Sequence, residues 1–388
     1  MKRNTGSLQV RSFKRALCRL PCGLALSVSL LCGTGHASPL TMQQSQYAQQ
    51  WRQTHGPLSS APPPALGALL AQHAGAPVAQ YSTLNAREGL AALTQRYTSP
   101  PADALAVENV DLDLHGRRIP VRIYHRQTDT LASGAAQRPM ASSVAGRKAP
   151  GVLFFIHGGG HLSGSVSIYD PVARHLAVST GETVIAVDYR RAPENPYPAG
   201  LEDARAVLLQ AYSLLDRQHI PYTRQLTLAG DSGGGAFSAT LAAELQSTHP
   251  GLIDRLVLIY PSLDYTLNWP SVKENGTGKL LDEDKVRWYF DQYFQHDEDR
   301  RAHSPLYMPV TKVYPPVLLF SGGLDPLRDE DFAFVARLKA VGIPVRHVHF
   351  PEVVHAYLML ENLVPSEAKA TYQAIGAFVN GAMGNQKE

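Results

Sequence analysis

Leu226-Thr227-Leu228-Ala229-Gly230-Asp231-Ser232-Gly233-Gly234-Gly235 changes character twice in ten residues. Residues 226–229 are a short apolar run of strand type. Gly230 to Gly234 is a glycine-rich turn. From 234 to 246 the apolar residues recur at helical spacing. The turn has the form G-x-S-x-G, a nucleophile elbow when a strand precedes it and a helix follows. Glycines at 230 and 234 permit a bend so sharp that a side chain there would collide. Ser232 is thereby pushed up at the N-terminus of the next helix, whose dipole favours negative charge. The backbone N–H of Gly233 becomes a candidate donor to an oxyanion.

Outward from the elbow the pattern repeats. Short, wholly apolar runs occur at Val152–Ile156, Val184–Val187, Leu256–Tyr260 and Val317–Phe320. Runs of this length suit strands buried on both faces. Helical spacing separates most of them, at 168–179, 199–215 and 329–341. Val345–Phe350 reads as a last strand and 365–380 as a last helix. The alternation predicts an α/β fold on a parallel sheet with right-handed crossovers. Ahead of it, Val110–Leu114 and Ile119–Tyr124 alternate around His115-Gly116. They predict a hairpin at a sheet edge, where Pro120 is tolerated.

Residues 38–100 read as two or three short helices, with capping-box spacing at Asn85–Glu88. Residues 127–149 read as an exposed loop. One stretch breaks the alternation. Between Tyr260 and Val317, helical spacing at 282–295 carries Val286, Trp288, Tyr289, Phe290, Tyr293 and Phe294. These residues are too apolar for a solvated loop and are expected to pack on the N-terminal helices as a cap over the strand ends. The domain reading is N-terminal cap helices at 38–104 and a main α/β domain at 105–388, with a cap insertion at about 264–303.

Three further elements follow strands of their own. Ile156-His157-Gly158-Gly159-Gly160 comes after the strand at 152. Its glycines bare backbone N–H groups, and HGGG is oxyanion-hole material. Gly159 and Gly160 are the candidate donors, with His157 as a brace. A metal pair of His157 and His161 lacks a third nearby ligand. Ser321–Asp329 follows the strand at 317. Asp325 can accept from an imidazole and fix its tautomer, while Asp329 is expected to cap the next helix. Phe350–Ala356 follows the last strand and puts His355 where the order Ser…Asp…His expects a base. His347 and His349 compete for that role but sit within the strand itself. Ser232, Asp325 and His355 with the glycine N–H groups supply what acyl transfer needs: an activated hydroxyl, an oriented base and oxyanion donors.

These four elements together resemble the hormone-sensitive-lipase-like family of α/β-hydrolases, the bacterial GDSAG-type esterases. Asp188–Ala199, DYRRAPENPYPA here, is similar to the family's DYRLAPEHPFPA segment. Leu324–Glu330 resembles its acid motif, and Ser304-Pro305-Leu306 the segment leading out of its cap. The likeness covers most of 105–380. It implies an α/β-hydrolase fold: a mostly parallel eight-stranded sheet flanked by helices, with a helical cap. It implies hydrolysis of short- to medium-chain acyl esters through a serine acyl-enzyme, without metal or other cofactor. Ser232 would be nucleophile, His355 base and Asp325 its partner, with Gly159, Gly160 and Gly233 as the oxyanion hole. Asp188 and Glu194 match positions that brace the site.

There are departures. His161 stands where an aromatic is usual and is expected to change polarity at the pocket mouth. Gly233 replaces an alanine, which is expected to loosen the turn, and Arg191 replaces a leucine. The 127–149 loop is longer than the family's. Two competing readings share the fold. One is a non-hydrolytic small-molecule binding protein, against which the presence of His355 stands. The other is a long-chain lipase or an amidase. A capped pocket has finite volume, so the short-chain reading expects rates to decline with long acyl chains.

The 388 residues are 44% hydrophobic and 18% charged, ordinary for a globular chain with a large core. All three cysteines, Cys18, Cys22 and Cys32, lie in the first 32 residues, so no disulfide framework or thiol nucleophile lies downstream. The same segment carries Lys2, Arg3, Arg11, Lys14, Arg15 and Arg19, then an apolar run at Leu24–Leu31, then Gly35-His36-Ala37. That three-part pattern predicts an export signal at 1–37 and a periplasmic or secreted protein. Its apolar run is far short of the ~20 residues that span a bilayer, so no stable membrane insertion is expected after removal. Without those six basic residues the chain has 30 Lys/Arg against 33 Asp/Glu, net −3 where the full sequence is +3. Nothing there suggests nucleic-acid binding. The expected partner is a small-molecule ester. Oligomeric state, a homodimer included, stays open.

Overall fold

The computed structural model describes residues 38–74, 81–114, 116–126 and 149–381. The export signal read at 1–37, His115 of the hairpin turn and residues 127–148 of the long loop lie outside the described residues.

Three helices come first: α1 (Pro39–His55), α2 (Pro64–Ala74) and α3 (Thr83–Tyr97). The strands β1 (Leu105–Leu114) and β2 (Arg117–Arg126) make the antiparallel hairpin. Then β3 (Val152–Ile156), α4 (Asp170–Thr180), β4 (Thr183–Val187), α5 (Ala199–Leu209), α6 (Ala211–Arg217), β5 (Leu226–Asp231), α7 (Ser232–Thr248) and β6 (Arg255–Ile259) alternate. The interruption holds α8 (Pro270–Asn275), α9 (Glu283–Tyr293) and α10 (Arg300–His303). The chain closes with β7 (Val317–Leu324), α11 (Arg328–Val341), β8 (Val345–Val354) and α12 (Pro365–Val379). The sheet order is β1-β2-β4-β3-β5-β6-β7-β8, and β3 to β8 pair in parallel.

The apolar runs are apolar throughout because both faces of the sheet are covered. On β3, Val152, Phe154 and Ile156 face the core built with α5, α6, α7 and α11, while Leu153 and Phe155 face that of α4 and α12. Each such side chain contributes about 1.5–3 kcal/mol on burial. The central strand β5 is wholly buried, so the turn at its carboxyl end is held by the most constrained part of the sheet.

Several local expectations are corrected. Pro120 does not sit on the edge strand, which is β1. It stands on β2 just beyond the ladder with β4, whose pairing begins at Val121, and its carbonyl accepts from Asp188 N–H at 2.9 Å. Its missing donor therefore falls outside that ladder. Helix α3 is capped by Ser82, whose hydroxyl accepts from Asn85 N–H at 3.1 Å, so Asn85 lies in the first turn rather than at the cap. The helix read at 199–215 breaks at Gln210 into α5 and α6.

The N-terminal helices divide. Tyr47 and Trp51 of α1 pack their rings on Phe332 of α11 at 5.5 and 5.9 Å. Helix α3 lies against the 3-10 segment Tyr357–Leu363, with Thr94 donating to Met359 Sδ. The aromatic stretch of α9 also divides. Trp288 stacks on Tyr81 just ahead of α3, at 5.8 Å. Tyr293 and Phe294 pack instead on Tyr197 at 5.6 and 5.4 Å, and Tyr293 lies 6.0 Å from Phe237. No helix among the described residues is long and apolar enough to cross a membrane.

Candidate active site

The strand β5 ends at Asp231 and α7 begins at Ser232, with no linker between them. Ser232 takes φ +50°, the left-handed region that a side chain enters at a cost. The surroundings enforce it. A Cβ on Gly234 would stand 2.0 Å from the Ile156 carbonyl oxygen, so only glycine lets α7 press against the end of β3.

The three side chains read from separate motifs meet. His355 Nε2 lies 2.8 Å from Ser232 Oγ, and His355 Nδ1 lies 2.7 Å from Asp325 Oδ2. Asp325 is fully buried, and its Oδ1 accepts from Leu327 N–H at 2.8 Å. With Nδ1–H donated to the carboxylate, Nε2 carries a lone pair towards the serine hydroxyl. His347 and His349 are engaged elsewhere. Both contact Ser321 Oγ at 2.7 Å, His347 also meets Tyr47 OH at 3.1 Å, and His349 Nε2–H donates to the Leu58 carbonyl at 2.7 Å. Asp329 does not cap α11, whose first residue is Arg328. Its carboxylate accepts instead from Ser271 N–H at 3.0 Å and Arg328 Nε at 3.0 Å.

The HGGG segment runs beside the elbow. Gly159 has φ +110°, and a Cβ there would meet the Ser163 carbonyl at 2.3 Å. Among the described residues neither Gly159 N–H nor Gly160 N–H donates a hydrogen bond. Gly233 N–H lies in the first turn of α7, where helices leave donors free. The loop is tied to the elbow by Asp231, which the sequence reading passed over. Its buried carboxylate accepts from Gly158 N–H at 2.7 Å and Tyr169 OH at 3.0 Å, and burial raises its pKa to about 6. Only its place inside the G-x-S-x-G motif signals it in the sequence. His157 stacks on Tyr189 at 4.4 Å, and its carbonyl accepts from the Tyr189 hydroxyl at 2.8 Å. Asp188 pairs with Arg191, which also donates to the Gly164 carbonyl at 2.9 Å. Glu194 takes both guanidinium arms of Arg87, at 2.9 and 2.7 Å, and Arg87 Nε donates to the Leu162 carbonyl at 3.0 Å, so the pair ties α3 to the segment that follows HGGG.

His161 is corrected. It is 1% exposed and does not present a polar mouth. Its ring stacks between Phe237 at 4.5 Å and Tyr293 at 4.1 Å, as the usual aromatic would, with Nε2 3.2 Å from Tyr265 OH. Burial pushes its pKa down to about 3, so the ring is neutral. Gly233 is explained by the same ring. A methyl on Gly233 would stand 3.1 Å from His161 Cε1. The two departures fit each other, and the turn is packed rather than loosened.

A cavity of about 290 Å³ opens over these groups. Ser232, His355, Gly159 and Gly160 line it together with residues of α3 and α9. A hydrogen-bonded Ser–His–Asp cluster at a mostly apolar cavity, at the carboxyl ends of a parallel sheet, is the arrangement of a hydrolase-type site.

A family model described as the alpha/beta hydrolase fold matches residues 153–359. The chain belongs to this family. Among characterised relatives it is 32% identical over 258 residues to the ethyl acetate hydrolase of Pseudomonas putida, covering 64% of this chain and 74% of that one. It is 34% identical over 235 residues to the carboxylesterase NlhH of Mycobacterium tuberculosis, covering 58% and 72% of the two chains. Among solved structures it is similar to the esterase of Pyrobaculum calidifontis, with a TM-score of 0.69 at 25% identity over 83% of this chain and all of that one.

Proposed function

We propose that this carboxylic ester hydrolase cleaves short- to medium-chain acyl esters through an acyl-enzyme on Ser232. The observation that carries the reading is the unbroken chain Ser232 Oγ–His355–Asp325, with contacts of 2.8 and 2.7 Å. The ester-hydrolysing relatives support it.

The steps follow from the geometry. Ser232 Oγ attacks the ester carbonyl carbon as its proton passes to His355 Nε2. The new C–O bond places negative charge on the former carbonyl oxygen. Gly159, Gly160 and Gly233 N–H groups, with the positive end of α7, offset that charge. Asp325 holds the imidazolium that forms. The oxyanion then collapses, the bond to the alkoxide breaks, and His355 gives its proton to the departing alcohol. Water enters, loses its proton to Nε2, and releases the acid and Ser232 by the reverse sequence. The finite cavity is the physical reason for the chain-length limit. We read residues 1–37 as an export signal, which makes the mature enzyme periplasmic or secreted.

Ser232→Ala tests the reading. The variant is expected to keep the wild-type circular dichroism and to lose turnover of p-nitrophenyl butyrate by at least about 10³-fold. Retained turnover would assign the nucleophile elsewhere. Rates across p-nitrophenyl acetate to palmitate should fall with the longer chains. A profile rising to palmitate would favour a lipase.

A further inference from the structure

The lining of the cavity carries a cation with no stated task. Lys285 lines the cavity from α9 and is half-buried. No arginine or second lysine joins it in that lining among the described residues. The one carboxylate there, Asp231, is already bonded to Gly158 N–H and Tyr169 OH.

Nearby cations are paired. Lys273 contacts both Glu283 oxygens at 2.7 Å, and Arg287 reaches the same carboxylate at 2.7 Å. Lys285 makes no hydrogen bond or ion pair among the described residues. Asp282 is the nearby carboxylate that acts on it through space, and Asp282 Oδ1 is committed to Gly278 N–H at 2.8 Å.

The placement is also adverse for a cation. Lys285 is the third residue of α9, where the helix dipole is positive; of the two first-turn acids, Glu283 is taken by Lys273 and Arg287 and Asp284 is exposed. Burial lowers its pKa, the sign of a charge held without enough solvent or counter-charge. A solvated surface lysine is normally found in neither condition. Such a group is stabilised when an anion enters.

Its place relative to the HGGG loop follows from the helix. Tyr289, four residues on, lies one turn away, about 6 Å along the axis. Tyr289 Cγ stands 2.7 Å from where a Cβ on Gly160 would be, so the Tyr289 end of that turn touches the HGGG loop. Lys285 and Tyr289 therefore border the cavity one helical turn apart, with the Tyr289 end at the HGGG loop and the Lys285 end away from it.

We propose that the ester cleaved by this enzyme carries a carboxylate, bound by Lys285 where α9 lines the cavity. This rests on the ester-hydrolase reading and names a substrate class within it. The ammonium donates to the carboxylate, the positive end of α9 adds to the attraction, and the apolar walls hold the intervening chain.

The test uses two isosteric pairs. Monomethyl glutarate is compared with methyl 5-methylhexanoate, which places the charge on the acyl side. Acetoxybutanoate, with the acetoxy group terminal, is compared with 4-methylpentyl acetate, which places it on the alcohol side. The readout is the ratio of kcat/KM for the anionic over the neutral member, taken within each protein. Wild type should favour the anion in one pair. Lys285→Met should lower that ratio about tenfold, the worth of one charge-assisted hydrogen bond. Lys285→Glu should lower it further, and high salt should move wild type towards the Met variant. A ratio changed less than about twofold by both substitutions in both pairs overturns the proposal, since a tenfold effect is expected. If the neutral esters are still hydrolysed, the ester-hydrolase reading stands without it. If no ester is hydrolysed by wild type, that reading falls first and the inference with it.

Discussion

His161→Phe separates two roles of one ring. In the folded chain the imidazole is neutral, with its pKa pushed down to about 3 by burial. In the unfolded chain it titrates near 6.5. At pH 7 both states are neutral at this ring and no penalty arises. As pH falls below 6.5 the unfolded chain takes up a proton that the folded chain refuses. Each pH unit then costs about 1.4 kcal/mol of stability, down to about pH 3. At pH 5 the accumulated loss is about 2 kcal/mol. Phenylalanine keeps the stack between Phe237 and Tyr293 but cannot be protonated. It leaves Tyr265 OH without its partner, which costs about 1–3 kcal/mol at every pH.

The pH dependence therefore isolates the ring's titration. Urea unfolding at pH 7 and pH 5 should show wild type losing about 2 kcal/mol more than the variant between the two. His349, depressed to about 4, and His347, depressed well below the ordinary range, add acid lability of the same sign. Asp231, raised to about 6, acts in the opposite sense, its contribution present at low pH and lost as pH rises through about 6. All three are common to both proteins and cancel in the comparison. An equal loss in wild type and variant would refute the buried, neutral assignment of His161.

Asp325→Asn should leave the fold intact and lower kcat by about 10⁴, because an amide facing Nδ1 favours the wrong tautomer; circular dichroism and ester kinetics check both halves. Gly234→Ala should abolish soluble expression or activity, since its methyl would lie 2.0 Å from the Ile156 carbonyl. Gly89→Ala on α3, where a Cβ meets nothing within 4 Å, should instead gain about 0.5–1 kcal/mol and raise Tm.

The fold was legible because its strands are continuous apolar runs and each reactive residue follows one of them. Ser232, Asp325 and His355 could be paired from order alone, since parallel strands deliver their carboxyl ends to the same edge. What stayed hidden depends on contacts between segments far apart in the chain. Asp231 earns its place through Gly158 and Tyr169, 73 and 62 residues away. His161 looked polar in the sequence because its stacking partners, Phe237 and Tyr293, come from elements whose approach no local pattern states. The start of α3 was less legible because Ser82 and Asn85 both suit an N-cap, and it is Ser82 that accepts from the Asn85 N–H. Lys285 was read as part of a helical stretch, and only its place in the cavity wall sets it apart.

The most direct measurement is labelling with a p-nitrophenyl phosphonate ester, whose phosphorus takes the place of the attacked carbonyl carbon. The purified protein is treated, digested and analysed by mass spectrometry. The account predicts one adduct per chain, on the peptide that contains Ser232, with loss of esterase activity in step. An adduct on another residue, or full labelling with activity retained, would contradict it.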